Sequence, residues 1–145
     1  MAGPKKPSFP VVSGEYPMTA EWSVALPGKF KRRIEEGSLV LWRPGLTAWI
    51  DVWRNDQRQS KRERLRQIRA DSAAKRFDEI EEQESGLLRY AYRLAEPAED
   101  ARAAAVYCFA VGATGHVQMA LYFDQESEAE VALGMWRTLR ERAAS

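Results

Sequence analysis

Alternation of apolar and polar positions dominates the first third of the chain. In TAEWSVALP, Ala20, Trp22, Val24 and Leu26 stand at every second position with Glu21 and Ser23 between them, which predicts a strand with one buried face. Pro27-Gly28 is a turn signal. KFKRRIEE then shows Phe30 and Ile34 pointing one way among charges, the pattern of an exposed or edge strand, and Gly37 ends it. SLVLW and LTAWIDVW predict a third and a fourth strand around Arg43-Pro44-Gly45. Further on, GLLRYAYRLAE, AAAVYCFAV and HVQMALYFD read as strands, the last two joined by a GATG turn.

Between these groups the pattern changes. Residues 55–84 contain no Gly or Pro and are rich in Arg, Glu, Gln and Ala, all strong helix formers apart from the few aspartates and serines among them. One long mid-chain helix is predicted, with Asn55 or Asp56 as N-cap and Ser85-Gly86 as the stop. Near the C-terminus, Ser127 and Glu130 have capping-box spacing. Behind them Ala132, Met135, Trp136, Leu139 and Ala143 recur at helical intervals.

The predicted order is four strands, a long helix, three strands and a closing helix. Strands joined by short turns pair antiparallel. The predicted class is therefore α+β: an antiparallel sheet of about six to seven strands, with the mid-chain helix and the C-terminal helix packed on it as an α/β/α sandwich. Residues 1–17, with prolines at 4, 7, 10 and 17, predict a flexible, extended arm, and residues 18–145 a single domain.

W-x-V-x-L-P-x-x-F at Trp22 to Phe30, strands flanking a mid-chain helix, and a last strand YFD before the Trp-bearing helix ALGMWRTL together resemble the Mog1/PsbP-like domains. The resemblance is a pattern of elements over residues 20–142. It implies an α/β/α sandwich on an antiparallel sheet and a binding or assembly role without catalysis. Members of that group include a Ran-binding protein, photosystem accessory proteins and bacterial secretion-effector chaperones. No motif carries a functional residue over to a position of this chain.

The stretch LVLWRPGLTAWIDVW packs three tryptophans into one hairpin. With Pro44-Gly45 as the turn, one face carries Leu39, Leu41, Ala48, Ile50 and Val52. The other carries Val40, Trp42, Thr47, Trp49, Asp51 and Trp53. Both faces are apolar, so cover is expected on both sides. In the second hairpin Val106, Cys108, Ala110, Val117, Met119, Leu121 and Phe123 share one face, and Tyr107, Phe109, His116, Gln118 and Tyr122 the other. Leu88, Tyr90, Tyr92 and Leu94 add two more aromatic rings at alternate positions. Trp42, Trp49, Trp53, Tyr90 and Tyr92 are thus either core beneath a helix or anchors for a protein partner.

Charge along residues 55–84 is bipolar. Arg58, Lys61, Arg62, Arg64, Arg66 and Arg69 precede the acidic run from Asp78 to Glu84. Within one helix that order opposes the dipole. It offers a phosphate-contacting patch at Arg58, Lys61, Arg62, Arg66 and Arg69, a protein contact, or a solvated face. The net charge of +1 and the acidic run both weigh against nucleic acid.

Candidate chemistry is sparse. One Cys and one His fall short of a structural zinc site and allow no internal disulfide. No P-loop, dinucleotide, zincin or nucleophile-elbow pattern occurs. His116 at a turn exit and Cys108 in mid-strand read as structural. Asp51 is expected to pair with an arginine of the helix. No catalytic residue, metal or cofactor is predicted, and the chain is not expected to be an enzyme. With no signal-peptide core and no membrane span in the sequence, a cytoplasmic protein is expected. The leading expectation is a non-catalytic domain binding a protein partner or apolar segment, with a homodimer also compatible. Nucleic-acid binding is the alternative, and a small-ligand pocket or enzyme at Asp51 or His116 the third reading.

Overall fold

The computed structural model describes residues 8–95 and 102–142. The strands are β1 (Val11–Pro17), β2 (Trp22–Glu35), β3 (Ser38–Arg43), β4 (Leu46–Arg54), β5 (Phe77–Glu84), β6 (Leu87–Leu94), β7 (Ala105–Val111), β8 (Gly115–Phe123) and β9 (Arg140–Glu141). Helix α1 (Lys61–Asp71) lies between β4 and β5, and α2 (Ala129–Arg137) follows β8. Among the described residues these strands form one nine-stranded antiparallel sheet, ordered β1-β2-β3-β4-β8-β7-β6-β5, with β9 beside the start of β2. Two meanders, β1–β4 and β5–β8, therefore meet where β4 pairs with β8. The passage through α1 carries the chain from mid-sheet to the far edge.

The two faces of the sheet are packed differently. On the inner face Trp22, Phe30, Leu41, Ile50, Met119 and Leu121 bury against Met135, Trp136 and Leu139 of the closing segment. Trp136 is fully buried and its Nε1 donates to the Phe109 carbonyl at 2.9 Å, so its one polar atom is satisfied. On the outer face α1 inserts Leu65 over Leu88, Tyr90, Tyr92, Phe109 and Val111.

The predicted α/β/α sandwich with a long mid-chain helix is not what forms. The helix is only 11 residues long. Ser60, not Asn55 or Asp56, is the N-cap, accepting from the Glu63 amide at 3.1 Å. Asn55 instead clasps Gln59 through both side-chain atoms. At the other end Ser72 turns extended, its hydroxyl donating to the Ile68 carbonyl at 2.7 Å. The acidic run that follows is strand β5 at the edge of the sheet. Its alternation explains the outcome. Glu79 and Glu81 face α1 and pair with Arg76, Arg69 and Arg62. Ile80, Glu82 and Glu84 face the other way, where Ile80 joins the inner core and the two carboxylates meet Arg137 and Arg140. The helix propensity of Glu is worth only tenths of a kcal/mol per residue, and the ladder to β6 overrides it. The same carboxylates guard an exposed sheet edge.

Three smaller expectations are also corrected. Pro27-Gly28 does not end a strand: β2 runs through it, and β1 follows with a register shift between Val12 and Gly14. Gly28 takes the bulge at a φ of +118°, and Pro27 brings no N–H to the ladder. Residues 11–17 of the predicted arm form β1, paired to β2, while residues 1–7 lie outside the described residues, as does Ala143. No capping box opens α2, which is entered from a 3-10 turn at Glu126–Glu128 without a side-chain cap. The register of both hairpins is as predicted, Leu39 opposite Ile50 and Trp42 opposite Thr47 in one, Val106 opposite Leu121 in the other.

Candidate binding face

Cross-strand pairing assembles the outer face in rows. Trp42, Thr47 and Tyr122 form one row, and Val40, Trp49, Ala120, Tyr107 and Tyr92 the next. Asp51, Gln118, Phe109 and Tyr90 form a third, and Trp53, His116, Val111 and Leu88 the last. Helix α1 roofs the β6–β7 side of this surface. Tyr90 and Tyr92 are accordingly buried, at 0% and 5% exposure, and offer nothing to a partner.

The β3–β4 side has no such roof. Trp53 is 54% exposed, and Trp42 and Trp49 are half-buried. Phe9 meets Trp42 edge-on with ring centroids 4.9 Å apart, and the Arg33 guanidinium lies 4.8 Å from the same ring. Tyr122 is bounded by the Tyr107 hydroxyl at 3.0 Å and the Arg102 guanidinium at 5.7 Å. Lys31 and Arg33, both on β2, continue the surface as a basic margin. Asp51 accepts from Ser38 at 2.6 Å and makes no ion pair with an arginine of α1, contrary to expectation.

Where the open side meets α1, a half-open cleft of about 400 Å³ separates the helix from the sheet. Its walls include Arg64 and Gln67 from α1, and Trp53, His116, Gln118 and Phe109 from the sheet. Arg64 Nε donates to His116 Nδ1 at 2.9 Å, and its Nη2 donates to the Arg54 carbonyl at 2.8 Å. Burial, and secondarily the Arg64 charge, push the His116 pKa down from 6.5 to about 4. A guanidinium can only donate, so Nδ1 carries the lone pair and the neutral ring bears its proton on Nε2. That lone pair is occupied, which makes His116 a donor and a poor general base.

The remaining reactive groups are quiet. Cys108 is fully buried, and burial holds its thiol well above the ordinary range. Among the described residues no group of three or more His, Cys, Asp or Glu could hold a metal ion, and no helix is long and apolar enough to cross a membrane.

The basic residues of α1, and Arg58 just before it, are only partly available. Arg69 pairs with Glu81 at 2.5 Å, Arg62 reaches Glu81 and Gln83, and Lys61 donates to the Gly86 carbonyl. Arg58 and Arg66 make no ion pair among the described residues. Of the positive charge that reads as one patch along the chain, β5 thus matches Arg62 and Arg69.

Of the predicted anchors, Trp42, Trp49 and Trp53 share one open surface, whereas Tyr90 and Tyr92 lie under α1. Strand parity puts Gln118 on the same face as His116, but the partnership of Arg64 with His116 has no signal in the sequence. It depends on β4 pairing with β8 and on where α1 lands.

The chain matches no family model, no curated protein and no solved structure. The resemblance to Mog1/PsbP-like domains therefore rests on the pattern of elements alone.

Proposed function

We propose that the protein is a non-catalytic binding module that engages a protein partner through the outer face of β3, β4 and β8. The observation that carries this reading is the asymmetry of the roof. Helix α1 covers one side of an aromatic sheet face and leaves Trp53 54% exposed beside half-buried Trp42 and Trp49. A lone surface tryptophan is unremarkable, but a contiguous group with an arginine against it has the composition of an interface anchor. The margin of Lys31 and Arg102, beside an Arg33 already paired with Glu35, favours a partner segment with an apolar anchor and acidic flanks. Nucleic acid is the weaker reading, because Arg62 and Arg69 already have partners on β5.

Affinity capture from a native lysate, with and without nuclease, tests the reading. A protein is expected to be retained after nuclease, lost with Trp53→Ala, and kept with the double substitution Arg62→Glu and Arg66→Glu. Recovery that depends on nucleic acid and disappears with the arginine double variant would overturn it.

A further inference from the structure

The cleft beside Trp53 holds a charge that the fold does not balance. Arg64 is half-buried, yet the groups it contacts are a neutral imidazole and a backbone carbonyl. Its Nη1 is buried with no hydrogen-bond partner. The one carboxylate among the residues lining the cleft is Asp71, seven positions further along α1, roughly 10 Å away by helical rise, and it makes no ion pair with Arg64. Removing a cation from water without an anion beside it is unfavourable, so a site of this kind gains from a resident anion.

The hydrogen-bonding groups agree in sign. With Nδ1 committed to Arg64, the His116 ring offers its Nε2–H, which has no partner among the described residues. The Gln118 amide, in the adjacent row of the same cleft wall, is likewise without one. The remaining lining is aromatic and aliphatic: Trp53, Tyr92, Phe109 and Ile68. Trp53 lies nearly parallel to the His116 ring, 16° between planes and 6.3 Å between centroids, so a flat apolar wall stands directly beside the donors. At about 400 Å³ the cleft is of small-ligand size and too small for a folded partner.

We propose that this cleft binds a small aromatic carboxylate, its acid group received by the Arg64 charge, His116 Nε2–H and the Gln118 amide, and its ring lying against Trp53. The site does no chemistry on the ligand, because the imidazole has no free lone pair to accept a proton. The cleft shares Trp53 with the partner-binding face, but its acid-binding groups, Arg64, His116 and Gln118, take no part in that reading, so the acid preference tested below fails or holds independently of partner capture.

The test is a titration of the full-length, ¹⁵N-labelled protein with indole-3-acetate, and in parallel with its neutral isostere indole-3-acetamide. The indole N–H of Trp53 and the ring nitrogens of His116 are the reporters. The expected result is a saturable shift of both reporters, with the acid binding at least tenfold more tightly than the amide. Arg64→Gln is expected to abolish that preference. His116→Phe keeps a flat ring, removes the Nε2 donor, and is expected to weaken the acid several-fold while leaving the amide unchanged. Equal binding of acid and amide, no saturable shift with the acid, or an undiminished preference in both variants would overturn the assignment.

Discussion

Arg64 on α1 and His116 on β8 are joined by a 2.9 Å hydrogen bond that spans 52 positions of sequence and closes one end of the cleft. This contact fixes the tautomer of the only histidine and adds to burial, the larger cause, in making its protonation unfavourable in the fold.

A pH dependence follows. His116 has a folded pKa of about 4 against an ordinary 6.5, so on acidification the unfolded chain takes up the proton first. Its contribution to stability is fully present above about pH 6.5, is lost as pH falls through the window to about 4, and changes no further below it. The loss is no more than roughly 3 kcal/mol for a half-buried ring. Denaturant unfolding at pH 7.5 and 4.5 measures it. His116→Gln, which keeps an acceptor for Arg64 but does not titrate, is expected to show a smaller difference between the two pH values.

Gly115 tests how tightly β8 is seated against β4. A Cβ there would stand 1.8 Å from the Trp53 carbonyl oxygen, at a φ of +152° that side chains rarely adopt. Gly115→Ala is expected to cost several kcal/mol or to prevent folding, since backbone and not a flexible side chain must give way. Gly134 in α2 has open space around it, so Gly134→Ala is expected to raise stability by about 0.5–1 kcal/mol through helix propensity. Thermal or denaturant melts of the two variants should move in opposite directions.

The tryptophans should divide in the same way. Trp136 is fully buried and hydrogen-bonded, and Trp136→Ala is expected to destabilise by about 3–5 kcal/mol. Trp53→Ala is expected to stay within about 1 kcal/mol of the parent, because most of that side chain faces water. Equilibrium unfolding of the two variants distinguishes a packing role from a surface one.

Much of the sheet was legible because strand periodicity is rigid. Once Pro44-Gly45 and GATG are read as turns, residue parity alone places Trp42, Trp49 and Trp53 on one face and Leu41, Ala48 and Ile50 on the other. Parity says nothing about which face a helix will cover, or how much of it. That is why Tyr90 and Tyr92 read the same as Trp42 and Trp49 in sequence and part company in the fold. The β5 strand was hidden by composition. Asp78 to Glu84 has the residues of a helix, and the arginines that make it a two-faced strand lie on α1 and in the C-terminal segment, distant in sequence. The cleft was hidden for the same reason, being made by a contact between elements and not by any motif.

The guarded edge supplies its own prediction. Glu81 and Gln83 share the outer side of β5, and Glu81 is paired with exposed arginines in contacts each worth under about 1 kcal/mol. Replacing both residues with Val is therefore expected to leave the fold intact but make the outer side of this edge apolar and remove one of its guarding carboxylates, easing edge pairing. Light scattering after size exclusion should report a larger assembled mass than for the parent.

Site-specific photo-crosslinking addresses the central claim most directly. A photoreactive phenylalanine analogue is placed at Trp53 on the open aromatic face, and in a separate protein at Ile34, which is also exposed but lies at the far end of β2 with the opposite side-chain parity. Exposure is comparable, 54% against 60%, so only the identity of the surface differs. The expected result is a protein adduct of one defined mass from position 53 that survives nuclease, and none from position 34. An adduct from position 34 with none from position 53 would contradict the account, as would the same adducts from both.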